Sequence, residues 1–239
     1  MNLILLSERE HAVSPQRIRL SDRRFEHITK VHRAQVGDRL KLGVINGSIG
    51  SAIVEDLQSH SVELSYALDT PPPPALPLTL ILALPRPKVL RRTLQNLSSL
   101  GAKHIILINT WRVEKSYWQS PLLESASIEH SLQLGLEQAV DTIMPTISQR
   151  KRFKPFVEDE LGALAKESVK LVAHPKGNAP CPMNLGAQAS TLAIGPEGGF
   201  IPYEIEKLES IGFQAVNMGQ RILTVETAIP TLIGQLFPR

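Results

Sequence analysis

The chain has 239 residues, 42% of them hydrophobic and 21% charged, enough apolar material for a sizeable core and too little charge for a disordered polymer. Its one cysteine, Cys181, excludes an intrachain disulfide framework and any zinc site built from several thiolates, and favours a reducing compartment. With 26 basic residues against 23 acidic, the formal net charge is +3, so bulk charge alone implies no nucleic-acid partner.

No apolar run reaches the roughly 18 residues of a membrane span. The opening Leu3-Ile4-Leu5-Leu6 is cut short by Ser7-Glu8-Arg9-Glu10, and the expectation is a cytoplasmic protein without a membrane partner. Residues 22 to 35 predict a short helix with Arg23, Arg24, His27, Lys30 and Arg33 at helical intervals, either a solvated face or a set of contacts to a polyanion. Short apolar stretches follow at Arg39-Leu40-Lys41-Leu42, Ser51-Ala52-Ile53-Val54 and Ser61-Val62-Glu63-Leu64, with Asn46-Gly47 as a hairpin turn. Residues 1–70 therefore read as a small β domain. The run Pro71-Pro72-Pro73-Pro74-Ala75-Leu76-Pro77 has few backbone donors and prefers a stiff polyproline II path, which makes 71–77 a linker to a second domain over 78–239.

Beyond the linker, strand and helix alternate. Strands are predicted at Leu78–Leu84, Ile105–Ile108, Val169–Ala173, Thr191–Ile194 and Ala215–Met218. Helices are predicted from about Lys88 to Leu100, over a long segment ending near Ile143, from Pro202 to Ile211, and from about Thr224 to Leu236, where Pro230 predicts a kink or a broken turn. Near-continuous apolar strands separated by helices argue for a parallel sheet covered on both faces, hence an α/β domain. Positive charge is concentrated between residues 86 and 115, where Arg86, Lys88, Arg91, Arg92, Lys103, Arg112 and Lys115 face Glu114 alone. Lys88, Arg91, Arg92 and Gln95 share one face of the first helix while Leu90, Leu94 and Leu97 form the other; such a row is either simply solvated or contacts phosphates at helical spacing.

Two glycine turns follow apolar strands: Ile194-Gly195-Pro196-Glu197-Gly198-Gly199-Phe200 and Asn217-Met218-Gly219-Gln220-Arg221-Ile222-Leu223. Neither has a Walker-type ending or the G-x-G-x-x-G fingerprint. Two such loops at neighbouring strand ends would form one crevice, with His174 at a third strand end and Arg221 and Glu226 near a helix start. Asn46-Gly47-Ser48-Ile49-Gly50 is not a nucleophile elbow. The seven histidines show no metal spacing, and no metal is expected.

The segments Ile194–Phe200 with Glu204, and Met218–Ala228, resemble the 16S ribosomal RNA (uracil-N3)-methyltransferases of the SPOUT superfamily. The similarity extends along the chain through His27-Ile28-Thr29-Lys30-Val31-His32-Arg33 with Gly37-Asp38, Leu100-Gly101-Ala102, Glu137-Gln138-Ala139 before Met144-Pro145, and His174-Pro175. The resemblance implies a small N-terminal PUA-like β-barrel followed by a SPOUT α/β domain with a deep trefoil knot, acting as a homodimer on 16S rRNA within the small ribosomal subunit. It implies that S-adenosylmethionine is held by His174, Ile194, Gly195, Pro196, Glu197, Gly198, Met218, Gly219, Ile222 and Leu223. Arg221 and Glu226 would then be catalytic, one stabilising the anionic ring or the other taking the N3 proton. Arg24, His27, Lys30, Arg33, Arg86, Lys88, Arg91 and Arg92 would grip RNA. The chain departs from the family at Thr224 and at Val140-Asp141-Thr142, where arginines are usual, at His32, which replaces a leucine, and at Pro230. These departures keep open an RNA-binding or ribosome-assembly factor with weak or no turnover, or a methyltransferase for a different nucleotide.

Overall fold

The computed structural model describes residues 2–13 and 15–238. It divides into two compact units, Met1–Pro74 with Gln133–Met144, and Ala75–Leu132 with Pro145–Arg239. The segment 133–144 thus belongs with the N-terminal residues, whereas the sequence placed a single boundary at 71–77.

In the first unit, β1 (Ile4–Leu6), β2 (Arg17–Leu20), β3 (Arg39–Val44), β4 (Ile49–Leu57) and β5 (Val62–Thr70) form one sheet in the order β1-β3-β4-β5-β2. Strands β3, β4 and β5 are an antiparallel meander, and β1 joins β3 in parallel with Ile4 opposite Leu42. Alternation decides the buried face: Ala52 and Val54 on β4, and Val62, Leu64 and Tyr66 on β5, enter a core with Ile4, Leu6, Leu20, Ile28 and Leu42. A bulge sits at Ile49/Gly50, where a Cβ on Gly50 would lie 1.8 Å from the Ala67 carbonyl oxygen, so no other residue fits. The turn between β3 and β4 closes through the Gly47 N–H on the Val44 carbonyl at 2.8 Å, with Asn46 supplying the positive φ of 58°.

Strands β1 and β2 escaped the sequence reading. The first is apolar without alternation, and the second is an edge strand with two arginines. Helix α1 (Glu8–Val13) lies between them, and the helix expected over 22–35 is shorter: α2 (Arg23–Glu26) runs into a π-type turn, His27–Val31. Asp22 caps it, its carboxylate accepting the Arg24 N–H at 2.8 Å. In the 133–144 segment, Leu136 packs with Leu3, Leu5 and Ile49. The buried Glu137 carboxylate receives the Arg23 guanidinium through two nitrogens, and its backbone carbonyl accepts from Asn2 and Leu3 at 2.9 and 3.0 Å.

The second unit is built on seven parallel strands, β6 (Leu78–Ala83), β7 (His104–Ile108), β8 (Thr146–Arg150), β9 (Val169–Ala173), β10 (Ala179–Pro180), β11 (Ser190–Ile194) and β12 (Gln214–Asn217), in the order β10-β12-β9-β11-β6-β7-β8. The registers Ile194↔Leu82, Ile194↔Ala173, Val216↔Ala173 and Ala83↔Ile108 bring the C-terminal ends of five strands to one edge. Residues 80–83, 105–108 and 190–194 are buried throughout, which is why they read as unbroken apolar runs.

Helix α3 (Pro87–Leu100) buries Val89, Leu90, Leu94 and Leu97 and ends at Gly101, φ 90°. Helix α4 (Ser125–Ala139) stops four residues before the expected Ile143 because Val140 takes a left-handed φ of 58° and the Asp141 N–H returns to the Leu136 carbonyl at 3.1 Å. A segment not anticipated from sequence, α5 (Phe153–Pro155), a π-type stretch Phe156–Leu161 and α6 (Gly162–Leu164), buries Phe156, Val157 and Leu161. Strand β8 was also missed, being polar and at the sheet edge. Helices α7 (Pro202–Ser210) and α8 (Val225–Leu236) complete the unit. The broken turn expected at Pro230 does not occur. Helix α8 continues through it, held by its buried face of Val225, Ile229, Leu232, Ile233 and Leu236, while Pro230 has no N–H to offer the Glu226 carbonyl.

Candidate cofactor and RNA site

The site is assembled from the loops that leave the C-terminal ends of β6, β7, β9, β11 and β12. In a parallel sheet this is the edge where ligands bind, next to the point at which strand order reverses. After β11 the chain turns tightly, with the Gly199 N–H on the Pro196 carbonyl at 2.7 Å and Gly199 at φ 72°. A Cβ on Gly195 would lie 3.0 Å from the Phe200 nitrogen and 3.1 Å from its ring, so the turn is shaped around a bare backbone.

Three side chains tie this loop to its neighbours. The Glu197 carboxylate accepts from the Arg86 backbone N–H at 3.2 Å and from its guanidinium at 3.1 Å, which joins the β11 loop to the start of α3. Arg112, beyond β7, donates to the Gly198 carbonyl. Glu204, only 2% exposed, accepts the Trp111 N–H at 2.7 Å and the Ile201 N–H at 3.0 Å. One buried carboxylate therefore satisfies the start of α7 and fixes the β7 loop beside it.

The β12 loop is more open. The Asn217 side chain accepts the Gly219 N–H at 3.0 Å and donates to the Gly177 carbonyl at 2.8 Å, and Gly219 has φ 89°. Met218 and Leu223 are half-buried, Arg221 is exposed, and Ile222 is 82% exposed. Glu226 is half-buried in the first turn of α8. At the β9 end, the His174 N–H donates to the Val216 carbonyl at 2.9 Å and its Nδ1 accepts from Lys176 at 3.2 Å. Burial pushes the His174 imidazole below its ordinary pKa, Lys176 adds to this, and Glu209 opposes it. The following loop is bonded to the end of α8: Asn184 and Leu185 donate to the carbonyls of Gln235 and Leu236 at 2.9 and 2.7 Å.

His174, Ile194, Gly195, Pro196, Glu197, Gly198, Met218, Gly219, Ile222 and Leu223 thus lie on the loops of three neighbouring strands, β12, β9 and β11, with Arg221 and Glu226 on the segment leading from β12 into α8. Lys88, Arg91 and Arg92 are exposed on α3, and Arg86 is committed in part to Glu197. In the first unit Lys30 and Arg33 are exposed, and His27 packs edge-on against His32 at 4.9 Å. Arg24 is a correction. Expected to contact RNA, it is 8% exposed, with its guanidinium on Glu10, Asp22 and the Leu5 carbonyl. Burial opposes its charge but the two carboxylates outweigh this and raise its pKa; such an ion pair is part of the fold. Sequence reasoning missed Trp111 and the tie made by Arg112. The only signal for the latter was a cation following an apolar strand.

Among the described residues no group of three or more His, Cys, Asp or Glu is placed to hold a metal, and no helix is long and apolar enough to cross a membrane.

A family model described as an RNA methyltransferase domain matches residues 72–236, and one described as an RNA methyltransferase PUA domain matches residues 20–65. The ribosomal RNA small subunit methyltransferase E of Treponema pallidum is 33% identical over 235 residues, covering 95% of this chain and 87% of that protein. Its namesake in Synechocystis is 27% identical over 232 residues, covering 92% and 72%. The fold is shared with the Neisseria gonorrhoeae ribosomal RNA small subunit methyltransferase E, solved bound to S-adenosyl methionine, at a TM-score of 0.73 and 24% identity, covering 98% of this chain and 95% of that one. The five-stranded sheet of the first unit is accordingly a PUA-like domain, the parallel sheet of the second is the catalytic one, and the chain belongs to the RNA methyltransferase family.

Proposed function

We propose that the protein transfers the methyl group of S-adenosylmethionine to N3 of a uridine in 16S rRNA, acting as a cytoplasmic homodimer on the assembled small ribosomal subunit. The observation that carries the reading is the apolar display at the β12 loop together with the bare backbone of the β11 loop, two strand ends separated only by β9 at the same edge of the sheet. Ile222 stands 82% exposed, on the same loop as half-buried Met218 and Leu223, and a Cβ on Gly195 would crowd the Phe200 backbone at 3.0 Å. A flat adenine ring with apolar faces and hydrogen-bonding groups at its edge fits that combination. The residues present therefore fit the cofactor: Ile194, Gly195, Pro196, Gly198, Met218, Gly219, Ile222 and Leu223 would hold its nucleoside, with Glu197 ordering the loop and His174 lining the β9 end. The trefoil knot belongs to the same reading.

When bound, S-adenosylmethionine supplies an electrophilic methyl on a sulfonium. The protein has to hold the nucleophile in line with that methyl and exclude water. Uracil N3 must lose its proton. Glu226, half-buried at the start of α8, would accept it, and Arg221 would stabilise the charge on the ring. Lys88, Arg91 and Arg92 on α3, and Lys30, Arg33 and His27 in the PUA-like unit, would grip phosphates around an extruded base.

The test is to incubate the protein with labelled S-adenosylmethionine and unmethylated small subunits, with naked rRNA in parallel, and to identify the product nucleoside by mass spectrometry. The expected product is 3-methyluridine, formed preferentially on subunits. Another methylated nucleoside would show a different target. Cofactor binding by calorimetry without methylation of either RNA would replace the enzyme with a binding or assembly factor. Sedimentation velocity tests the dimer.

A further inference from the structure

Trp111 is 78% exposed, yet the turn that carries it is tied at three points. The Trp111 N–H is taken by the buried Glu204, the next residue reaches across to the Gly198 carbonyl, and the Val113 N–H closes the turn on Thr110 at 3.1 Å. A large ring fixed at its base and left in water beside the glycine loop is a preorganised contact surface. Further aromatic and basic residues follow in the same loop. The turn Lys115–Gln119 carries Tyr117 and Trp118, and the Trp118 indole N–H donates to Asn109 at 2.8 Å, folding the turn back to the end of β7. Lys151 lies 5.8 Å from the centre of the Trp118 ring. The Tyr117 phenol is held above its ordinary pKa by desolvation and then by Glu114 and Glu197, with Arg86 opposing, which places it within electrostatic reach of the Glu197–Arg86 pair.

The charge around this surface argues for a polyanion. Lys88, Arg91, Arg92, Lys115 and Lys151 are all exposed, and a second copy of the same surface would bring like charges together. We propose that Trp111 is the stacking platform for an unpaired nucleobase of the substrate RNA at the mouth of the methyl-transfer site, with Lys115 and Lys151 drawing in the flanking phosphates. Indole stacking tolerates any base because every base presents a π-face, and single-stranded RNA is commonly gripped in this way. The inference rests on the RNA-methylating reading above.

The chain has two tryptophans, so Trp118→Phe leaves Trp111 as the only indole. In that variant, emission should be quenched on titration with a single-stranded oligouridylate, and the quenching should saturate at the concentration where anisotropy of labelled RNA reports binding. In steady-state methylation of small subunits, Trp111→Ala should raise KM for RNA about tenfold while leaving the calorimetric affinity for S-adenosylmethionine unchanged. Trp111→Phe should restore most of the loss because a smaller ring still stacks. RNA binding without a change in Trp111 emission, or an unchanged KM in Trp111→Ala, would overturn the assignment. So would a shift of Trp111→Ala from dimer to monomer in sedimentation, which would make the ring an interface between copies. If the unaltered protein methylates no RNA, the functional reading fails, and the fluorescence titration still decides Trp111 by itself.

Discussion

The loops that follow β11 and β12 leave the same edge of one parallel sheet, and each turns on glycine, but they are held in different ways. The β11 loop is fixed from outside by Glu197 on Arg86, by Arg112 on the Gly198 carbonyl, and by the buried Glu204 behind Trp111. The β12 loop is tied chiefly by its own first residue, Asn217, and leaves Arg221 and Ile222 in solvent. The first loop is a preformed wall, tied by side chains from three other segments. The second presents apolar surface to solvent. Positioning for an in-line transfer needs one rigid reference, and a substrate must still enter, so a well-tied wall facing a lightly tied one suits a reaction between two bound molecules.

The comparison predicts that damage to the first loop registers as lost stability and damage to the second as lost affinity. Glu204→Ala should have the largest effect, about 3 kcal/mol in urea denaturation, because it strands two backbone N–H groups that the carboxylate now satisfies. A value under about 1 kcal/mol would show that water replaces the carboxylate and that the wall is not so fixed. Gly195→Val should cost about 1 to 3 kcal/mol in the same denaturation, since its Cβ would press on the Phe200 backbone at 3.0 Å and overpacking is destabilising.

Ile222→Ser is the sharper probe of the second loop. Stability should stay within about 0.5 kcal/mol, as for an exposed residue, while cofactor affinity drops by about tenfold through lost apolar contact. A parallel loss of both would remove the distinction between the loops. Glu197→Gln should cost only about 0.5 kcal/mol, because its partner Arg86 is largely exposed and screened. The smallest effect concerns the β9 end. The folded His174 pKa lies below its ordinary 6.5, so the unfolded chain takes up the proton first, and stability should fall as pH drops through and below that value. His174→Gln should remove that component of the pH profile.

Much of this site was legible in the sequence because its signals are local. Gly199 and Gly219 adopt positive φ, which a glycine-rich turn at a strand end announces, and β6, β7, β9, β11 and β12 lie within a residue or two of where apolar runs place them. The basic face of α3 was legible for the same reason: Lys88, Arg91 and Arg92 stand at helical spacing opposite Val89, Leu90 and Leu94. Local signals failed where a strand was polar, as in β8, where an end depended on an unexpected backbone conformation, as at Val140, and where one cation of a row turned inward to carboxylates, as Arg24 does to Asp22 and Glu10.

What the sequence by itself determined was the alternation of strand and helix, the position of the glycine turns and the amphipathic faces, since periodicity and glycine's freedom at φ above zero act within a few residues. Tertiary structure alone decided which charges belong to the fold and which to the site. Glu204 finds Trp111 across 93 residues and Arg112 finds Gly198 across 86, and residues 133–144 join the N-terminal unit through Glu137 and Arg23. The physical reason is desolvation: whether a carboxylate or guanidinium is a structural tie or a free contact depends on the partners that replace its water, and those partners meet only when the chain is folded.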